Sequence, residues 1–243
     1  LNIDKDSKYD YVTVLSASIP KSYYLISLNN RSFTLKEGSS YVTITLPLGN
    51  YTRKSLANTV SELLTSLSPN GYTYTITYDN MSKTKDDGKY VFTVSNNSGV
   101  QPSLIFTNEV YEQLGFDINT TNTFVNDVLT SVDVINLSNE TTLFIYSDIC
   151  MNVENSILQE IYTSGDISYS YVNFNNMTPY EYSKKVFNNQ SNTYSFIILD
   201  ENGREINTNG INVNITLMLY KRNNINEFLK EALKFFAELI YEK

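Results

Sequence analysis

Side chains alternate along much of this chain with a period of two. Tyr72, Tyr74, Ile76 and Tyr78 are interleaved with Thr73, Thr75 and Thr77, and Tyr41-Val42-Thr43-Ile44-Thr45-Leu46 repeats the pattern. Successive side chains of a strand point to opposite faces, so runs of this kind predict half-buried β-strands. Further strands are expected at 11–19 (ending at Pro20), 23–28, 32–35, 90–94, 103–106, 132–137, 142–146, 167–174, 194–199 and 213–220. Turn spacing makes 11–46 an antiparallel meander. Asp200-Glu201-Asn202-Gly203 is a tight turn with Asn-Gly where positive φ is favoured. Residues 156–163 fit a strand or a helix equally. Many short strands separated by turns every ~8–12 residues predict a mainly β chain, an antiparallel β-sandwich of jelly-roll-like kind. Closing two sheets on each other also hides strand edges.

The period changes twice. Leu56, Val60, Leu63, Leu64 and Leu67 fall on one helical face, predicting a helix over 53–67. Thr52 is its cap, and Ser68-Pro69-Asn70-Gly71 ends it. A hairpin follows, with Lys83, Lys85, Asp86, Asp87 and Gly88 in its polar loop, then one or two helical turns at 108–114 closed by Gly115. The expected organisation is a sandwich body from 1–47 and 121–222, an inserted α+β unit at 48–120, and a C-terminal amphipathic helix at 223–243. In that helix, capped by Asn224 or Asn226, the residues Phe228, Leu229, Ala232, Leu233, Phe236, Leu239 and Ile240 form an apolar stripe. Lys230, Glu231, Lys234, Glu238 and Glu242 lie mostly opposite, and this mixed charge argues against a membrane-surface helix. The stripe either docks on its own sandwich or packs on another subunit. The second reading makes Phe228, Leu229, Leu233, Phe236, Leu239 and Ile240 a candidate assembly interface.

The 243 residues contain no His and a single Cys, Cys150. Imidazole bases, Ser-His and Cys-His nucleophile pairs and His-ligated zinc are therefore excluded, as are an intrachain disulfide and a cysteine metal cluster. Cys150 reads as a packed thiol, because no imidazole exists to activate it. No G-x-G or Gly-Lys-Ser/Thr loop is present to cradle phosphate. The net charge is −8 and the basic residues are scattered, which argues against direct nucleic-acid binding. No apolar run approaches the ~18 residues of a membrane span. Charged residues soon after Leu1 do not read as a signal peptide, and the absent initiator Met points to a trimmed or truncated chain. Asp148, Glu154, Glu160, Asp166, Asp200 and Glu201 are available for carboxylate chemistry such as glycoside hydrolysis, and Asp86-Asp87 or Asp200-Glu201 for Ca²⁺. The spacing supports neither, and the expectation is no catalytic, cofactor or metal site. Tyr occurs 20 times, with clusters at Tyr23-Tyr24, Tyr72/Tyr74/Tyr78, Tyr169/Tyr171 and Tyr180/Tyr182. Such residues suit sheet packing, protein contacts or carbohydrate stacking. Asn-x-Ser/Thr triplets at Asn30, Asn50 and Asn214 are expected by chance in so Asn- and Thr-rich a chain.

Four parts of the chain carry a resemblance: LPLGNYTRKSLANTVSELL (46–64) with GYTYTITYDN (71–80), YEQLGF (111–116), VDVINLSNETTLFIYSDI (132–149), and FIILDENGREINTNGINVNITLMLY (196–220). In order and spacing they resemble minor capsid proteins of the penton or vertex-spike kind from virophages, polinton-like viruses and large eukaryotic DNA viruses. The C-terminal helix lies outside that pattern. The resemblance implies a non-enzymatic virion protein with a jelly-roll part. Such a protein would assemble with itself, as a trimer or pentamer, and with other capsid proteins in the host cell interior. The alternative is a spike or fibre head that binds a host receptor or glycan.

Overall fold

A computed structural model describes residues 9–78, 86–108, 110–138, 142–150, 157–163, 170–186 and 193–221. The fold is mainly β, its sheets antiparallel throughout. The chain folds as two compact units, Leu1–Ser22 with Glu140–Lys243, and Tyr23–Asn139.

The first unit is organised on β1 (Tyr11–Pro20). One edge of β1 pairs with β14 (Asn214–Tyr220); the other pairs with β11 (Tyr171–Asn175) and, at Tyr11 and Val12, with β12 (Lys184–Lys185). Val12, Thr13 and Val14 are buried in succession, which requires both faces of the strand to be covered there. The register on β14 shifts between Val14 and Ser16. At the same place along β1, just after β11, Asn176 N–H donates to Leu15 O and its Nδ2 to Val14 O. A second sheet runs β10 (Ile157–Tyr162), β9 (Thr142–Ser147), β13 (Phe196–Leu199). Residues 157–162, ambiguous in sequence, are thus a strand. After β13 the Asp200 carboxylate accepts from the N–H groups of Asn202 and Arg204 and from Arg204 Nε at 2.6 Å, closing the turn.

The second unit contains the helix expected at 53–67, here α1 (Arg53–Ser66), started by a reciprocal Thr52–Ser55 capping box. Leu56, Ala57, Val60 and Leu64 are its buried face; Leu67, expected on that face, is the C-cap and is exposed. Two sheets share the core with it. One runs β3 (Ser40–Thr45), β2 (Ser32–Glu37), β6 (Ser103–Ile105), β7 (Thr121–Thr123), and the other β4 (Thr73–Thr77), β5 (Val91–Ser95), β8 (Val128–Thr130). A short α2 (Val110–Leu114) follows β6. Ring contacts link Phe33, Phe106, Phe116, Phe92 and Tyr90, with centroids 5.0–6.3 Å apart. Offset and edge contacts at that separation are favourable beyond the area they bury.

Three local expectations are corrected. Residues 11–46 are not a meander: β1 pairs with strands from the far end of the chain, while the β2–β3 hairpin pairs with β6. The compact unit containing α1 is Tyr23–Asn139. Residues 23–28 are not a strand, apart from the single bridge Ile26–Gly49. Asn50 Oδ1 accepts from Leu25 N–H, and Asn30 takes Ser27 N–H and Leu25 O, so side chains satisfy backbone that a ladder would otherwise hold. Residues 132–137 belong to no sheet, and Val132 and Asp133 form a bend. Asp133 and Asn136 donate to Gly115 O and Glu112 O, at the close of α2 and within it, and Ile135 donates to Gly88 O.

Burial makes one pH prediction. The Tyr74 hydroxyl is pushed well above its usual 10.0 by burial, then by its hydrogen bond to Glu37; burial does the same to Tyr90. A phenol with a raised folded pKa contributes full stability below its unfolded pKa, about 10, and loses it as pH rises toward the folded value. Above about pH 10 each tyrosine should therefore tilt stability downward by about 1.4 kcal/mol per pH unit. Urea midpoints at about pH 9 and about pH 11 should differ accordingly, and Tyr74→Phe or Tyr90→Phe should each flatten the fall. An unchanged slope in both variants contradicts this.

Candidate assembly surface

Several of the candidate carboxylates are committed within the fold. Asp148 accepts from Ser195 N–H at 2.8 Å, and Asp200 holds its own turn. Asp86 accepts from Arg53 Nη1 at 2.5 Å and from Gly88 N–H, which hold its carboxyl below the usual range, and Asp87 accepts from Lys89 N–H. Glu160 and Glu201 are exposed; Glu154 and Asp166 lie outside the described residues. Among the described residues no three His, Cys, Asp or Glu side chains gather as a metal site. Cys150 is buried, which pushes its thiol up, and its Sγ lies 3.6 Å from Ser147 O. Asn30 and Asn50, each in a glycosylation triplet, are spent on the backbone of the 25–27 segment.

Two internal anchors were not singled out from sequence. Glu37 is fully buried and accepts from Ser68 Oγ, Asn70 N–H and Tyr74 Oη at 2.7–2.9 Å. Its signal was present: Phe33, Leu35 and Glu37 share the inner face of β2, so a carboxylate sits where alternation demands an apolar residue. Arg53, at the start of α1, donates to Asp86 and Lys89 O, and its guanidinium lies 4.7 Å from the Tyr78 ring centroid and 5.9 Å from that of Tyr90.

The tyrosines divide by location. Tyr23, Tyr72, Tyr74, Tyr90 and Tyr194 are buried, while Tyr171, Tyr180 and Tyr182 are exposed, as is Met177 between them in sequence. Tyr220, at the end of β14, stacks on Tyr11 at 5.5 Å and meets the Tyr180 ring edge-on at 5.2 Å; its hydroxyl donates to Ser183 Oγ. Tyr11, Tyr180 and Tyr220 thus hold one another at one end of β1, while Tyr171 lies at the other end, opposite Pro20. In the first unit, β13 and β14 line a groove of about 650 Å³. Phe196, Ile198, Ile215, Leu217 and Leu219 give it apolar lining, and Glu205 and Thr208 a polar part. Among the described residues, no helix is long and apolar enough to cross a membrane. The expected interface residues Phe228, Leu229, Leu233, Phe236, Leu239 and Ile240 lie outside the described residues.

These features define a mainly β, sandwich-type protein whose polar side chains serve its own turns and whose outer strands carry apolar contact surface. No protein-family model matches the chain, and no curated protein matches it. Among solved structures it is similar to the selenomethionine-labelled penton protein of mavirus, with 12% identity over 90% of this chain and 91% of that chain and a TM-score of 0.45.

Proposed function

We propose that the chain is a structural virion protein, a minor capsid or vertex component of penton or spike-associated kind. It works without catalysis or cofactor and assembles with itself as a trimer or pentamer and with other capsid proteins. The observation that carries this reading is where the side chains are spent. Asp86, Asp148 and Asp200 are held by an ion pair, a backbone amide and a turn, whereas large apolar and aromatic side chains, Tyr171, Met177, Tyr180 and Tyr182 of the first unit among them, remain exposed. The four sequence stretches that resemble penton-type capsid proteins point the same way. They correspond here to α1 and β4, to α2 and its close, to β9 with the segment before it, and to β13 and β14. Light scattering on the full chain should give a three- or five-fold mass, and averaged electron micrographs the matching rotational symmetry. A chain that stays monomeric at high concentration and binds no other capsid protein ends the proposal.

A second reading rests on the exposed Tyr171, Tyr180, Tyr182 and Met177: a spike head that recognises a host glycan or receptor. A glycan array and a cell-binding assay with the assembled protein test it. Signal lost in Tyr180→Ala supports it, and absence of any signal removes it.

A further inference from the structure

We propose that β3 is an interface strand, whose open edge takes β3 of a second copy of this chain, antiparallel and about a two-fold axis at Thr43. β3 stands at the end of its sheet. Leu46 N–H donates to Arg31 O, so in the β2–β3 register the bonded pairs are Leu46–Arg31, Ile44–Phe33, Val42–Leu35 and Ser40–Glu37. The N–H and C=O groups of the alternate residues Tyr41, Thr43 and Thr45 therefore point away from β2. Among the described residues these groups meet no hydrogen-bond partner, and all three side chains are exposed. An edge of this kind is a template for another strand. Sheets usually blunt it with a charge, a proline, a bulge or a cover. Residues 40–45 carry no charge and no proline, and their register with β2 runs through six pairs without a shift. The edge strand β4 of the same unit shows the contrast. There Tyr74 N–H donates to Thr65 Oγ1 and Tyr74 O accepts from Ser61 Oγ, so hydroxyls of α1 seal it.

The residues of the edge select a second copy as the occupant. A two-fold contact joins one patch to itself, so the patch must be its own complement. Antiparallel pairing centred on Thr43 sets Thr43 opposite Thr43, Tyr41 opposite Thr45 and Val42 opposite Ile44. Thr–Thr, aromatic–β-branched and apolar β-branched pairs are favourable across strands, and within 40–45 no like charges meet. Tyr41, Thr43 and Thr45 each exchange N–H and C=O bonds with their opposites, about six bonds in all. The sheet then runs on from β7, β6, β2 and β3 into the same strands of the copy in reverse order. Both open edges are used up, so the contact closes at two copies and does not grow into a fibre. It is separate from the ring proposed above. A chain making this contact alone is a dimer, and one making both is a pair of rings.

The test is cysteine pairing in the full chain. Residues opposite each other in a bonded antiparallel pair have Cα atoms about 5.5 Å apart, within disulfide reach. Thr43→Cys under mild oxidation is expected to give at least tenfold more covalent dimer on a non-reducing gel than Thr73→Cys, which is also exposed but lies on the sealed strand β4. The native Cys150 is buried in both. Equal yields overturn the proposal. Hydrogen exchange reads the same contact in the unaltered chain. The Tyr41, Thr43 and Thr45 amides have no partner among the described residues, so at least tenfold slower exchange at these three is expected as protein concentration rises. Rates that do not change with concentration overturn the pairing. Thr43→Lys sets two like charges on the axis and should abolish that protection; protection kept in this variant also counts against the pairing. Protection that appears only when another capsid protein is added makes the occupant a foreign strand and overturns the second copy. A three- or five-fold mass with no cross-linking at Thr43 keeps the ring and removes this contact.

Discussion

Gly115→Ala is expected to destabilise the Tyr23–Asn139 unit by about 3 kcal/mol or more, lowering its Tm by roughly 10–20 °C. Two causes add. Gly115 has φ +73, a left-handed conformation that costs an L-residue about 1–2 kcal/mol. The larger cause is crowding: a Cβ there would lie 2.4 Å from Asp133 O and 3.0 Å from Ser131 Cβ. The crowding atom is backbone, and that backbone is fixed. Asp133 N–H donates to Gly115 O, Ser131 Oγ to Leu114 O, and Ser131 N–H to Tyr90 O. Withdrawing far enough to admit a methyl group means surrendering some of these bonds. Gly203 is the comparison, with φ +76 and no atom within 4 Å of a Cβ. Gly203→Ala should therefore cost only the conformational part, about 1 kcal/mol. Urea midpoints of the two variants measure the difference, and equal midpoints would refute the crowding argument.

The same glycine illustrates what sequence does and does not reveal. That 108–114 ends at Gly115 was legible, because a short helical pattern followed by Gly marks a left-handed close. That the close is pressed against residues 131–133 was not legible, since nothing local in either segment encodes the other. The errors share this cause. Residues 132–137 have strand-like composition, yet their amides go to α2 with its closing glycine and to Gly88, and β-propensity reports a fit to a half-buried surface rather than a ladder partner. The short strands β7, β8 and β12, of two or three residues each, carry too few alternations to register against their surroundings. Strands with longer alternation, such as β4 and β14, were placed to within a residue at each end.

Pairing order was the larger loss. From Tyr11 to Leu46 successive strands with short connections read as neighbours, and sequential strands do usually pair. Here Ser22 and Tyr23 fall in different compact units, so β1 joins β14 some two hundred positions away while β2 joins β6. No residue type marks such a crossing. On the functional side, the absence of His excluded whole reaction classes from composition alone. The groove lined by β13 and β14 was not legible, because only the fold brings Phe196 and Ile198 together with Leu217.

Glu37→Ala is the second large effect, and its reasoning begins with an inversion. Deleting a charge from an apolar core is often neutral when its partners leave with it, but strongly destabilising when they stay behind. Here they stay. Ser68 Oγ, Asn70 N–H and Tyr74 Oη all donate to the one carboxylate, and Ser68 Oγ in turn accepts from Tyr72 N–H. The side chain thereby ties the end of β2 to the turn between α1 and β4, joining both sheets of the unit at one point. Alanine leaves three donors facing a void, at a cost of about 3–5 kcal/mol. Glu37→Gln keeps the volume and one acceptor oxygen but turns an amide N–H₂ toward existing donors, so a smaller cost of about 1–3 kcal/mol is expected. Because Tyr74 loses its reason for burial along with Glu37, Tyr74→Phe should cost less in the Glu37→Ala background than in the native chain. A coupling of about 1–3 kcal/mol between the two sites is expected from chemical denaturation of the four chains. Additive costs, or a Glu37→Ala variant within about 1 kcal/mol of the native protein, would mean the carboxylate is a tolerated passenger in the core and not the point at which its two sheets are fastened.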